Sequence, residues 1–126
     1  MRAADTNVLL RALVRDDRKQ AQIADAFIAE GAWVSHVVLA EAAWVLESTY
    51  SRTPHQIATI IDGLMKHAYL TIQEPEIVSH ALERFRDHRG VEFADCLILS
   101  IAHKSGYLPL GTFDKRLGKL DGAAGL

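Results

Sequence analysis

Hydrophobic and polar positions follow two rhythms along the chain, short apolar runs between longer stretches with helical spacing. Arg2 to Asp5 reads as a very short first strand and Asn7 to Leu13 as a short helix. Asp16-Asp17 caps a helix over residues 18–29, with Ile23, Phe27 and Ile28 as its apolar side, and Gly31 ends it. Trp33 to Val37 is the second strand and Val38 to Tyr50 a helix; Pro54 opens another helix that runs through His67. Tyr69 to Gln73 is the third strand. Pro75 opens a helix with Ile77, Val78, Ala81, Leu82 and Phe85 on one side, broken at Gly90. Glu92 to Lys104 is the most apolar helix. Leu108 to Phe113 is the fourth strand, Asp114 to Leu120 a short helix and Ala123 to Leu126 an edge strand.

This alternation predicts an α/β fold with a mostly parallel sheet covered on both faces. Loops leaving the carboxyl ends of its strands are where such sheets place ligands. An all-helical domain is the competing reading, because runs this short do not separate strand from helix. No linker or repeat divides the 126 residues, so one domain over 1–126 is expected.

Single acids interrupt the apolar segments. Asp5 stands where the first strand ends, before Thr6 and Asn7. Glu41 is the only charge between Val37 and Leu46, and Asp95 the only charge between Phe93 and Ala102. Asp114 follows Gly111-Thr112-Phe113 at the end of the fourth strand. A carboxylate on an apolar helix face costs several kcal/mol to desolvate unless a cation compensates it. Neither window contains a lysine or arginine. A distant arginine or a divalent cation fills that role; Mg2+ and Mn2+ both prefer oxygen ligands. Each acid also has an ordinary use. Asp5 and Asp114 can cap the helices after them, Asp95 suits a first turn, and Glu41 can reach solvent.

Net charge is −2, which excludes a strongly basic nucleic-acid-coating protein. One cysteine, Cys96, excludes an internal disulfide and a cysteine-based zinc site, and its neighbours make it a core residue. No apolar run reaches the roughly 20 residues that span a bilayer. An early carboxylate at Asp5 disfavours secretion, so a cytoplasmic location is expected. Phosphate-loop, dinucleotide and nucleophile-elbow motifs are absent. Trp44 is expected in the core or a dimer interface. Ile57, Ile60, Ile61, Leu64 and Met65 form either core or a partner-binding stripe.

Ala4-Asp5-Thr6-Asn7-Val8-Leu9-Leu10-Arg11 resembles the opening motif of PIN-domain nucleases, above all the toxins of bacterial VapBC toxin–antitoxin pairs. The segments around Glu41 and Asp95, and Gly111-Thr112-Phe113-Asp114-Lys115-Arg116-Leu117, continue it in the family's order. The resemblance implies a three-layer α/β/α sandwich with a central five-stranded parallel sheet of order 3-2-1-4-5. It implies a Mg2+- or Mn2+-dependent endoribonuclease with Asp5, Glu41, Asp95 and Asp114 as its acidic metal site. A homodimer, a cognate VapB-type antitoxin and promoter DNA bound only through that antitoxin follow from the same resemblance; no membrane partner does. Thr6, Asn7 and Thr112 are candidates to fix the carboxylate rotamers, and Arg11, Arg15, Lys115 and Arg116 to contact phosphates. Glu92, one turn before Asp95, is an outer ligand or a solvated acid. The alternatives are a non-catalytic interaction module on the same fold, and a metal-dependent nuclease or phosphatase with a non-RNA substrate.

Overall fold

The computed structural model describes residues 1–126 and divides them into two compact units, Met1–Gln73 and Glu74–Leu126. The first unit runs β1 (Arg2–Ala3), α1 (Thr6–Val14), α2 (Arg18–Ala29), β2 (Ala32–Val34), α3 (His36–Ser48), α4 (Pro54–Met65) and β3 (Leu70–Ile72). The second runs α5 (Pro75–Asp87), α6 (Phe93–Ser105), β4 (Leu110–Thr112), a 3-10 turn over Leu117–Lys119 and β5 (Ala123–Gly125).

Local chemistry sets most helix starts. Side chains of Asp5, Asp17 and Ser35 accept the Val8, Gln20 and Val38 amides, satisfying donors with no partner inside the helix. Thr53 and Gln56 bond reciprocally around Pro54 at the head of α4. Gly106 ends α6 at φ 82°, a conformation other residues adopt at a cost.

In the first unit β2 pairs in parallel with both β1 and β3; in the second, β4 pairs in parallel with β5. Parallel pairing agrees with the predicted α/β class. The ladders run β1-β2-β3 in the first unit and β4-β5 in the second. Each strand is only two or three residues long. Ala32, Val34, Leu70 and Ile72 are buried while Trp33 and Thr71, on the opposite face, are exposed.

Leu9, Leu39, Leu46 and Val34 anchor the first unit's core, and Leu99, Val78 and Cys96 the second's. Burying each such aliphatic side chain stabilises the fold by roughly 1.5–3 kcal/mol. Ile57, Ile61 and Leu64 are buried, so the α4 stripe is chiefly core. One expectation fails. Ile23 is exposed, because α2 buries Ala21, Ala24 and Ile28, spaced three and four residues apart, and this turns Ile23 outward. Trp44 is 57% exposed, so of its two expected places the core is excluded.

Candidate functional site

Asp5 sits just beyond β1 as the N-cap of α1, and its Oδ1 accepts the Val8 amide at 3.1 Å. The neighbouring parallel strand β2 ends at Ser35, the N-cap of α3. Both caps therefore lie at the carboxyl ends of adjacent strands, the end at which such sheets bind ligands. Glu41 lies further along α3, exposed, on a face it shares with exposed Val37 and Trp44. Its apolar surroundings in sequence thus do not bury it. Thr6 is buried at the start of α1 and Asn7 is exposed.

The start of α3 is held by a contact that the sequence reading did not anticipate. Buried His36 donates its amide to Gln73 Oε1 at 2.9 Å, and its ring Nε2 meets the Gln73 carbonyl oxygen at 2.7 Å. A carbonyl only accepts, so Nε2 carries the proton. These two hydrogen bonds between the end of β3 and the head of α3 fix the helix that presents Glu41. No spacing rule links residues 36 and 73, so only the fold reveals it.

In the second unit Asp95 occupies the first turn of α6, half-buried. Burial, and then the negative charge of Asp114, push its carboxyl above the ordinary aspartate range. These two acids are thus near enough for their charges to repel. Asp114 is pinned by its turn: its Oδ1 accepts the Arg116 and Leu117 amides, both at 2.9 Å. Its own amide donates to Thr112 Oγ1 at 3.0 Å, so Thr112 orders the turn rather than the carboxylate itself. The capping use of Asp5 and Asp114 is real, and the backbone amides they cap all bond to Oδ1.

Behind Asp95, α6 is clamped to α5. Arg84 donates to Ser100 Oγ at 2.6 Å, and Ser100 donates to the Cys96 carbonyl at 2.8 Å. Cys96 is fully buried, and burial followed by the Asp95 charge pushes its thiol up to about 12, which leaves no thiolate nucleophile at neutral pH.

The candidate phosphate contacts separate into two kinds. Arg11 bonds Gln20 and Asp16, and Arg15 holds Asp25 through both guanidinium nitrogens at 2.9 and 2.8 Å. That pairing raises the Arg15 pKa and lowers the Asp25 pKa. Lys115 and Arg116 are exposed beside Asp114, and none of the four ion pairs, Arg2–Glu30, Arg11–Asp16, Arg15–Asp25 and Lys66–Asp62, involves them.

A family model described as PIN domain matches residues 3–123, spanning all four acids in order. The chain belongs to the PIN-domain family. PIN domains are typically Mg2+-dependent nucleases, so membership supports a hydrolase that cuts nucleic acid. Comparison with curated proteins and with solved structures finds no match. No helix of this PIN domain is long and apolar enough to cross a membrane.

The Asp95–Asp114 pair fits the divalent cation of the family in its chemistry. Both are hard oxygen donors, and the burial and repulsion that together lift the Asp95 pKa are costs that a bound cation would offset. Neither unit alone assembles three or more acidic, histidine or cysteine side chains around one point.

Proposed function

We propose that this PIN domain is a metal-dependent endoribonuclease, the toxin of a bacterial VapBC-type toxin–antitoxin pair. The observation that carries the reading is Asp95 held half-buried against Asp114 with no basic side chain relieving it, inside a chain of this family. A carboxylate kept at such a cost is more readily explained by a cation it binds than by stability. Residues 1–126 then form a single domain whose strands follow the order 3-2-1-4-5, and Asp5, Glu41, Asp95 and Asp114 act as one acidic set.

Mg2+ or Mn2+, when bound, supplies charge neutralisation at the phosphate and lowers the pKa of a water molecule. Asp95 and Asp5 would hold the cation directly and Asp114 directly or through water. Glu41 is a further ligand or positions the attacking water. The carboxylates share protons as a coupled set, so no single residue is assigned as general base. Thr6 and Asn7 steady Asp5, and Thr112 steadies Asp114 through its turn.

A cytoplasmic homodimer held by a VapB-type antitoxin accords with the surface. Val37 and Trp44 are 75% and 57% exposed on α3, on either side of Glu41, and apolar exposure of this kind marks protein interfaces. An apolar cleft of about 330 Å3, lined by Leu9, Leu13, Ile28, Leu64, Tyr69 and Leu70, offers an anchor for an antitoxin side chain. Promoter DNA is contacted through the antitoxin.

The test is cleavage of a mixed structured-RNA pool by purified protein with Mn2+ or Mg2+, beside chelator-treated protein and Asp95→Asn. Discrete cuts absent from both controls establish the activity. Cutting that persists in Asp95→Asn refutes the site. DNA and small phosphoesters as competitors separate RNA from other substrates.

A further inference from the structure

The turn after β4 carries more than an acid. Phe113-Asp114-Lys115-Arg116 presents in succession a ring, a carboxylate and two cations. Phe113 is 84% exposed, the most exposed large hydrophobic side chain in the protein. Water is a poor solvent for such a ring, and nothing in the chain's own core uses it. Its backbone is nonetheless firmly placed. On one side β4 pairs with β5; on the other, Asp114 closes the turn through Thr112 Oγ1 and through the Arg116 and Leu117 amides. An exposed ring on an ordered turn is a flat surface held ready.

Arg116 is positioned by a different route. Its side chain fills the space where a Cβ at Gly90 would lie: such an atom would fall 2.0 Å from Nη1 and 2.8 Å from Cδ and Cζ. Gly90 is also at φ +82°, a conformation suited to glycine. The guanidinium is thus seated on bare backbone just ahead of α6, the helix whose first turn carries Asp95.

We propose that this turn is the nucleotide-binding edge of the site: Phe113 stacks on an unpaired base next to the scissile phosphate, and Arg116, seated on Gly90, binds a neighbouring phosphate. The inference rests on the nuclease reading and assigns the side chains that hold the strand beside the cut. A base inside a duplex has no free face to offer the ring. Aromatic stacking accepts every base, whereas an arginine contact to phosphate carries no sequence information, so this edge selects strandedness and not sequence.

The experiment measures binding of a short fluorescein-labelled single-stranded RNA of randomised sequence, and of its duplex, by anisotropy. It uses the Asp95→Asn protein in chelator, so that affinity is read apart from cleavage. Single strand binds more tightly than duplex. Phe113→Ala weakens single-strand binding at least about fivefold, Phe113→Leu does the same, and Phe113→Trp retains it. Arg116→Ala lowers the slope of log affinity against log salt by about 0.7, and Arg116→Lys keeps it. Gly90→Ala, which leaves the charge in place, weakens binding by unseating it; circular dichroism confirms the fold of each variant. Phe113→Ala that binds RNA like its parent overturns the proposal. If that variant instead loses self-association in light scattering at unchanged RNA affinity, the ring belongs to a protein interface and the proposal falls as well. Metal-dependent cleavage by the unmodified protein alongside either result leaves the nuclease reading standing, whereas a protein that neither binds nor cleaves RNA ends both.

Discussion

Arg11, Arg15 and Lys66 in the unit of residues 1–73 each face a carboxylate, whereas in the unit of residues 74–126 Asp95 faces another carboxylate, Asp114. The two units carry the same kinds of charged residue and use them differently. Surface pairs such as Arg15–Asp25 satisfy each other and leave little for a ligand. Burial and the Asp114 charge both disfavour ionised Asp95, a cost that a bound cation would offset.

The largest expected effect is on catalysis. Asp95→Asn or Asp114→Asn lowers metal-dependent RNA cleavage at least about a hundredfold, with circular dichroism unchanged. An equal loss from Arg15→Ala would break the contrast between the units, since that residue is committed to Asp25.

Core truncation comes next. Leu39→Ala in the first unit and Leu99→Ala in the second, both at sites almost wholly buried, each cost about 2–5 kcal/mol in urea unfolding. Fluorescence of Trp33 and Trp44 reports only on the first unit, and circular dichroism on both. Coincident transitions in Leu99→Ala are expected of one domain; transitions that separate would mean that the units unfold independently.

Smaller effects follow from the raised Asp95 pKa. Its folded value lies above the 3.8 of the unfolded chain, so the folded protein favours the neutral acid and the charged form opposes folding at neutral pH. That cost disappears as pH falls through the folded pKa. Asp95→Asn therefore melts higher than the parent at pH 7, by about 2 °C, and the gap closes in acid. Added Mn2+ raises the melting temperature of the parent in a concentration-dependent way and leaves Asp95→Asn unmoved. Cleavage by the parent falls on acidification at a pH above the usual aspartate range. Arg15→Ala, at an exposed pair, leaves the melting temperature essentially unchanged, which completes the comparison from its quiet side.

Much of this was legible in the chain. Most helix positions came through because caps and breakers act locally: Asp17, Pro54 and Gly106 each act within a few residues, whereas Ser35, read inside the second strand, in fact caps α3 and starts it two residues earlier than predicted. The four acids stood out because charge is expensive in apolar company. Glu41 shows the limit of that signal, since its helix face turned out to be open to solvent, with Val37 and Trp44 beside it. Ile23 shows the same limit from the apolar side: helical spacing marks more than one stripe, and packing decides which one is buried.

By itself the sequence determined the α/β class, the positions of the helices and the acids worth testing, because these depend on neighbours along the chain and on composition. Tertiary structure alone decided the rest. It set Asp95 against Asp114, bonded His36 to Gln73, clamped Arg84 to Ser100 and seated Arg116 on Gly90. These are contacts between residues far apart in the chain, and their energies depend on distance and burial, which no local pattern encodes.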